Sequence, residues 1–146
     1  MTSLIGNAPV DGVDVAALLG IPISAEQERA VQAPLKPCAV IAGAGTGKTT
    51  VMAARVVWLV ASRLVSPEEI LGLTFTNKAT AELSERIESN LTRVGLLTSE
   101  QPRPTVATYD SFAGTLVNDY GAWDGISTGA HLITGARACL LYTSDA

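Results

Sequence analysis

The sequence has few of the residues that build metal centres and disulfide frameworks. Its 146 residues contain two cysteines, Cys38 and Cys139, and one histidine, His131. The cysteines lie far apart, and Cys38 falls in an apolar run, so their spacing predicts neither a metal site nor a disulfide framework. The simplest interpretation of His131 is a solvated histidine or one at the edge of the core.

Positive charge is also scarce. The formal net charge is −4, which argues against a broad electrostatic grip on nucleic acid. The first basic residue is Arg29, so the charged start of a signal peptide is lacking. Arg55 and Arg63 interrupt the most apolar helical stretch, which argues against a membrane span. Because 47% of the residues are hydrophobic, we expect one packed domain rather than a disordered chain. Without a predicted signal peptide or membrane span, we expect it in the cytoplasm.

One short stretch, IAGAGTGKTT at residues 41–50, has the spacing of a phosphate-binding loop. The usual pattern is G-x-x-x-x-G-K-S/T, and here Ala42 takes its first position. In such a loop the backbone N–H groups surround the phosphates, Lys48 neutralises the β- and γ-phosphates, and the Thr49 hydroxyl ligates Mg²⁺. A predicted buried strand (residues 38–42) precedes the loop and a helical sequence follows it. These neighbours favour a nucleotide site over a glycine-rich turn that binds nothing.

Strand and helix patterns alternate along the rest of the chain. Such alternation predicts an α/β fold with a parallel sheet covered on both faces, and functional loops at the carboxyl ends of the strands. Residues 43–49, 74–78 and 108–112 would then share one rim. The predicted elements are helices at residues 14–20, 24–31, 49–65, 77–94 and 110–121 and strands at 70–76 and 105–109. The helix at 77–94 is expected to have an apolar face formed by Ala79, Leu83, Ile87, Leu91 and Val94.

Four segments carry a family resemblance: SAEQERAV, AGAGTGKTT, LTFTNKATAELSERI and ATYDSF. Their order and spacing over residues 21–120 resemble the first motifs of UvrD/Rep-like superfamily-one DNA helicases, in which alanine at the first loop position is characteristic. The resemblance implies a RecA-like P-loop NTPase fold, with ATP and Mg²⁺ as cofactors and single-stranded DNA and duplex junctions as partners. It also implies ATP-driven translocation and unwinding, 3′ to 5′, in DNA repair or recombination.

The resemblance assigns a nucleotide set, in which Lys48 and Thr49 are catalytic and Thr49 also binds the metal. Gln27 would read the adenine edge, although Ser24 and Gln27 also have the spacing of a helix capping box. Thr50 stands where many relatives have arginine or lysine, so a contact that those relatives make is not expected here. The nucleotide set is Gln27, Ala42, Gly43, Ala44, Gly45, Thr46, Gly47, Lys48, Thr49 and Thr50.

The resemblance also assigns a DNA set. Phe75 would stack on a base, and the neighbouring amide, hydroxyl and ammonium groups would hold phosphates. The alternatives are that Phe75 is a core residue and that Asn77 only caps a helix. Asp110 replaces a histidine of many relatives, and a carboxylate would repel phosphate, so we interpret it as a helix cap. The DNA set is Phe75, Thr76, Asn77, Lys78, Thr108, Tyr109, Ser111 and Phe112.

Groups that ATP hydrolysis requires are missing from the sequence. No Asp-Glu pair follows an apolar strand, and a second RecA-like domain with its arginine finger is absent. We therefore expect a fragment, inactive alone, with a partial RecA-like domain at residues 21–120 between an N-terminal extension (1–20) and the start of an inserted helical subdomain (121–138). Residues 139–146 resemble a translated sequencing adapter and are expected to be non-native.

Two other function classes stay open. A different P-loop enzyme, such as a small-molecule kinase, would need an acceptor pocket and a lid. A nucleotide-binding module without turnover would bind ATP weakly and show no DNA-stimulated hydrolysis.

Overall fold

The computed structural model describes residues 12–126, which form helices joined to a small sheet. Contacts divide the chain into two units, one ending at Ala107 and the other beginning at Thr108. The elements are α1 (Val15–Leu19), α2 (Ala25–Val31), α3 (Lys48–Ala61), a 3-10 helix (Pro67–Glu69), β1 (Leu71–Thr74), α4 (Asn77–Arg93), β2 (Thr105–Thr108), α5 (Tyr109–Tyr120) and a second 3-10 helix (Gly121–Asp124).

Packing of α3 against α4 makes most of the core of the first unit. On α4, Leu83, Ile87 and Leu91 are buried at four-residue intervals, which confirms the apolar face predicted from the sequence. Burial of each such side chain is worth about 1.5–3 kcal/mol. The buried residues of α3 that face this core are Ala53, Ala54, Val56, Val57 and Val60.

The two short N-terminal helices begin where the sequence predicts. Asp14 caps α1, and its side chain accepts a hydrogen bond from the Ala17 N–H. Ser24 caps α2 in a complete capping box with Gln27. Gly20 ends α1 in the left-handed conformation, at φ 60°, which glycine adopts without steric cost.

Arginine side chains of α3 and α4 hydrogen-bond to carbonyls at the ends of the two short helices. Arg93 of α4 donates to the Leu19 carbonyl at the end of α1, over 2.6 Å. Arg55 of α3 donates to carbonyls at and beyond the end of α2, those of Ala30, Val31, Ala33 and Pro34. The terminal carbonyls of α2 thereby gain partners that the helix itself cannot supply.

Strands β1 and β2 pair in a two-stranded parallel sheet, with α4 as the connection between them. A Cβ built on Gly72 of β1 would lie 3.5 Å from Val106 and 3.6 Å from Leu83, so the sheet and α4 approach closely there. The strand–helix–strand order is that of an α/β protein, as predicted.

The predicted buried strand at residues 38–42 is wrong. This segment has no strand assignment and is exposed throughout, with Ile41 at 99% of its full exposure. A strand needs a neighbour for its backbone groups, and β1 pairs only with β2 among residues 12–126. An apolar run is therefore not enough to make a strand without a pairing partner.

Some predicted boundaries also need correction. The helix after the loop ends at Ala61 instead of continuing to residue 65, and β1 stops at Thr74, before Phe75. Tyr109 begins α5 rather than ending the strand, and Thr108 takes the cap position assigned to Asp110. Thr108 accepts from the Ser111 N–H at 3.1 Å, and Asp110 lies in the first turn, where its charge suits the helix dipole.

In the second unit, α5 runs into the 3-10 helix, where Tyr120 and Trp123 pack edge to face at 5.6 Å between ring centroids. His131, Cys139, most of the predicted inserted subdomain and the predicted adapter segment lie outside the described residues. Within residues 12–126, no helix has the length and apolar character needed to cross a membrane.

Candidate functional site: the nucleotide loop and the segments after β1 and β2

The predicted phosphate loop turns sharply into α3. Gly45 and Gly47 have φ angles of 74° and 78°, which side chains rarely tolerate. Gly47 occupies the cap position of α3, and no described side chain caps the first N–H groups of that helix. These N–H groups are therefore available to an anion, and the helix dipole favours one.

Lys48 folds back over the start of the loop. Its Nζ lies 2.6 Å from the Gly43 carbonyl oxygen and 3.3 Å from that of Ala42. The Thr46 hydroxyl donates to the same Gly43 carbonyl at 2.8 Å. The loop is thus closed by its own side chains, with the ammonium group held where it can pair with a phosphate.

Gln27 contributes to the capping box and also reaches the loop. Its Oε1 accepts from the Ser24 N–H at 2.9 Å, and its Nε2 donates to the Thr46 carbonyl at 3.1 Å. The capping box is therefore real, but it does not exclude adenine recognition. Each end of the amide keeps capacity for a further hydrogen bond, because Nε2 has a second hydrogen and Oε1 a second lone pair.

A cavity of about 570 Å³ lies beside the loop, between α2, α3 and residues 38–43. Its walls combine apolar side chains such as Val40 and Met52 with the polar groups of Gln27 and Lys48. This volume is within the range of about 300–1,000 Å³ typical of ligand sites. The residues present therefore fit a nucleotide, with an apolar wall for the base and a cation for the phosphates.

Thr49 is half-buried in the first turn of α3, at the position of the predicted metal ligand. A threonine hydroxyl suits Mg²⁺, which is commonly completed by phosphate oxygens and water. Among residues 12–126 there is no cluster of three or more His, Cys, Asp or Glu that could hold a metal ion. A single threonine hydroxyl fits Mg²⁺ that is also coordinated by nucleotide phosphates better than Mg²⁺ held by protein ligands alone.

Two arginines of this region were missed by sequence reasoning. Arg86 of α4 donates to the Thr50 hydroxyl at 2.9 Å, and Arg55 lines the cavity while holding the end of α2. Both contacts join residues more than twenty positions apart in sequence, so neither helical periodicity nor a local motif could have indicated them.

The segment after β1 presents the first part of the predicted DNA set. Phe75 is 88% exposed, so the alternative that it is a core residue is wrong. Thr76 caps α4 by accepting from the Ala79 N–H, and Asn77 is the first helical residue, so the alternative that Asn77 is the cap is wrong too. The Lys78 side chain is 87% exposed and lies 4.0 Å from Glu82.

The second part of the predicted DNA set lies in the other unit. Thr108 ends β2 and caps α5, and Tyr109, the first residue of α5, is half-exposed. Ser111 is exposed and Phe112 is half-buried in the first turn. The predicted rim shared with the nucleotide loop stays a prediction.

Comparisons with known proteins place these features in a family. The profile of the UvrD/REP helicase N-terminal domain matches residues 23–139. Over 97 residues the chain is 37% identical to a probable DNA helicase II homolog of Rickettsia conorii, covering 66% of this chain and 14% of that protein. It is 45% identical over 75 residues to DNA helicase II of Escherichia coli, covering 51% of this chain and 10% of that protein.

A third similarity has the highest identity of the three. Over 65 residues the chain is 48% identical to the ATP-dependent DNA helicase PcrA of Bacillus subtilis, covering 44% of this chain and 9% of that protein. The chain thus matches only 9–14% of the length of these three relatives. Since the profile match includes the capping box, the loop with Lys48 and the segments after β1 and β2, the chain belongs to the UvrD/REP helicase N-terminal domain family.

Proposed function

We propose that this chain is the ATP-binding N-terminal part of a UvrD-like DNA helicase with a RecA-like P-loop fold. The proposed activity is ATP hydrolysis coupled to translocation along single-stranded DNA and to unwinding at duplex junctions, 3′ to 5′, in DNA repair or recombination in the cytoplasm. The observation that carries the proposal is Lys48 Nζ, held 2.6 Å from the Gly43 carbonyl over a glycine loop that opens α3, in a chain of the helicase family.

In this proposal the loop binds the triphosphate and α2 reads the base. The N–H groups of the loop and of the first turn of α3 donate hydrogen bonds to the phosphate oxygens, and Lys48 exchanges its carbonyl partners for phosphate oxygens. Gln27 uses its remaining hydrogen-bonding capacity for the adenine edge. Thr49 would hold Mg²⁺, which when bound neutralises phosphate charge during phosphoryl transfer.

The segments after β1 and β2 serve DNA in the same proposal. Phe75 offers an exposed ring to a base, and Lys78 offers a cation to the backbone. Thr76 and Thr108 act mainly as helix caps that fix these turns, because their hydroxyls accept from backbone N–H groups. Asn77, Tyr109, Ser111 and Phe112 complete the proposed DNA set.

The proposed layout leaves hydrolysis to residues outside this chain. Residues 21–120 would be part of the first motor domain, and the water-activating carboxylates and the arginine finger would belong to the remainder of the helicase. The isolated chain would then be a nucleotide-binding module without turnover, and the complete protein the motor.

The test of the site is Lys48→Ala, with Lys36→Ala as the matched control. Lys36 is an exposed lysine in the turn before residues 38–42 and has no proposed role in binding. Titration with a fluorescent ATP analogue and Mg²⁺ should show binding by the unmodified chain and by the control. Lys48→Ala should bind on the order of 100-fold more weakly, since it loses a charge-assisted contact with the phosphates. Equal affinity in all three proteins, with equal thermal melts, would show that the loop does not bind nucleotide.

A further inference from the structure

Arg86 lies in the middle of α4, yet its guanidinium reaches the first turn of α3. Its Nη1 donates to the Thr50 hydroxyl at 2.9 Å. Thr50 is the third residue of α3, directly after the proposed metal ligand Thr49 and two residues after Lys48. The contact therefore brings a second cation to the helix end that carries the phosphate loop.

The Thr50 side chain lies directly against the loop. A Cβ built on Gly47 would be 3.9 Å from Thr50 Cβ, 4.0 Å from its Oγ1 and 3.3 Å from Gln27 Nε2. The last glycine of the loop is thus bordered by the Gln27 amide and by the Thr50 hydroxyl. Because Arg86 bonds to that hydroxyl, one threonine side chain separates its guanidinium from the loop.

Arg86 forms no ion pair with a carboxylate among residues 12–126. In the described part of the chain the ion pairs join Lys78 to Glu82 and Arg103 to Glu88, and Arg86 belongs to neither. Its charge adds to the positive end of the α3 dipole. Lys48 and Arg86 accordingly lie at the two ends of the loop, one at the Ala42 and Gly43 carbonyls and the other beyond Gly47.

We propose that Arg86 is a second cation of the nucleotide site and that Thr50 is its positioning residue. The Thr50 hydroxyl holds the guanidinium at the first turn of α3, where it strengthens binding of the phosphate tail. The inference rests on the proposed binding of ATP by this loop. The contribution of Arg86 to binding grows with the negative charge of the ligand, so Arg86 favours ATP over ADP.

The first experiment removes the charge of Arg86. Fluorescent analogues of ATP and ADP are titrated with Mg²⁺ into the 146-residue chain at low and high salt. Arg86→Gln should weaken ATP binding about threefold to tenfold and ADP binding less. Both losses should shrink at high salt, since salt screens an exposed charge. Arg86→Lys, which keeps the charge, should retain most of the affinity, a rescue that a purely structural role does not predict.

Arg103→Gln is the charge-matched control. It removes one positive charge from a residue paired with Glu88 rather than with the loop helix, so ATP and ADP affinities should not change. If Arg103→Gln weakens ATP binding as much as Arg86→Gln does, the effect belongs to net charge and the proposal is wrong. Thermal melts accompany each variant, and if Arg86→Gln does not fold, the decision rests on Arg86→Lys together with Thr50→Val.

The second experiment tests whether Thr50 acts through Arg86. Thr50→Val keeps the shape of the side chain but removes the acceptor, so it should weaken ATP binding about twofold to fivefold. The double variant Arg86→Gln/Thr50→Val should bind no more weakly than Arg86→Gln alone, as expected for two residues in one interaction. Additive losses would mean that Thr50 contacts the phosphates on its own account and would overturn its positioning role.

Failure of this inference is distinguishable from failure of the proposed function. If Lys48→Ala weakens ATP binding on the order of 100-fold and Arg86→Gln binds ATP as the unmodified chain does, the nucleotide site stands and Arg86 has no part in it. If the unmodified chain does not bind ATP, both proposals are wrong.

Discussion

At the scale of single residues, the segment after β1 offers two different kinds of proposed DNA contact. Phe75 offers an aromatic face, and Lys78 offers a charge that its ion pair with Glu82 neutralises only in part, because both side chains are exposed. A base stack is largely independent of salt, whereas a phosphate contact releases a counterion. The two contributions can therefore be measured separately.

In the complete helicase that we propose, Phe75→Ala and Lys78→Ala should both weaken single-stranded DNA binding, but differently. Loss of one stack should cost about 1–3 kcal/mol with little change in salt dependence. Loss of Lys78 should lower the slope of log affinity against log salt by about 0.7. The measurement is a DNA titration at several salt concentrations beside a thermal melt.

Glu82→Gln is the control variant. It removes the ion-pair partner of Lys78 without removing a proposed DNA contact, so single-stranded DNA binding should be unchanged or slightly stronger. ATP affinity without DNA should be the same in all three variants. If Phe75→Ala binds DNA with unaltered affinity and melts normally, Phe75 does not stack on a base.

At the scale of secondary structure elements, Arg55 joins α3, which follows the proposed nucleotide loop, to α2. Its guanidinium donates to carbonyls of Ala30, Val31, Ala33 and Pro34, so it secures the end of the helix whose start holds Gln27 near the loop. α2 has only seven residues and cannot be stable without such support.

Arg55→Met should therefore lower the free energy of unfolding by about 2 kcal/mol, because it leaves charge-bonded carbonyls without their donor. It should also weaken binding of ATP more than binding of inorganic tripolyphosphate, since α2 carries the proposed adenine contact and not the proposed phosphate contacts. The measurements are denaturant unfolding and competition titration with both ligands.

Arg63→Met is the matched control for this prediction. Arg63 is exposed beyond the end of α3, so its loss should change stability by less than about 0.5 kcal/mol. Equal losses of ATP and tripolyphosphate affinity in Arg55→Met would contradict the role of α2 in reading the base.

The elements also show what local sequence can predict. The core face of α4 followed from the spacing of Leu83, Ile87 and Leu91, the end of α1 from Gly20 and the start of α2 from Ser24, because periodicity and capping act over a few residues. The strand prediction for residues 38–42 was wrong because a strand depends on a pairing partner elsewhere in the chain. The Arg86–Thr50 contact spans 36 positions and has no local signal.

At the scale of the whole molecule, the described sheet beside the proposed ATP loop is small. It has two strands with α4 packed against it, which is fewer than the about four to six strands usual in protein sheets. The segment that leads into the loop exposes Val40 and Ile41, whereas the strand before a phosphate loop is usually buried in a parallel sheet. We expect these residues to pair with strands from the remainder of the proposed helicase.

ATP hydrolysis depends most strongly on the remainder of the proposed helicase. The isolated chain should show negligible ATPase activity, with or without single-stranded DNA, because binding by Lys48 and the loop supplies only part of the charge stabilisation that phosphoryl transfer needs. The complete helicase should hydrolyse ATP faster when single-stranded DNA is present. Phosphate release by the two proteins, each with its Lys48→Ala variant to exclude contaminating ATPases, checks both statements. Robust turnover by the isolated chain that Lys48→Ala abolishes would mean that the water-activating groups lie within these 146 residues after all.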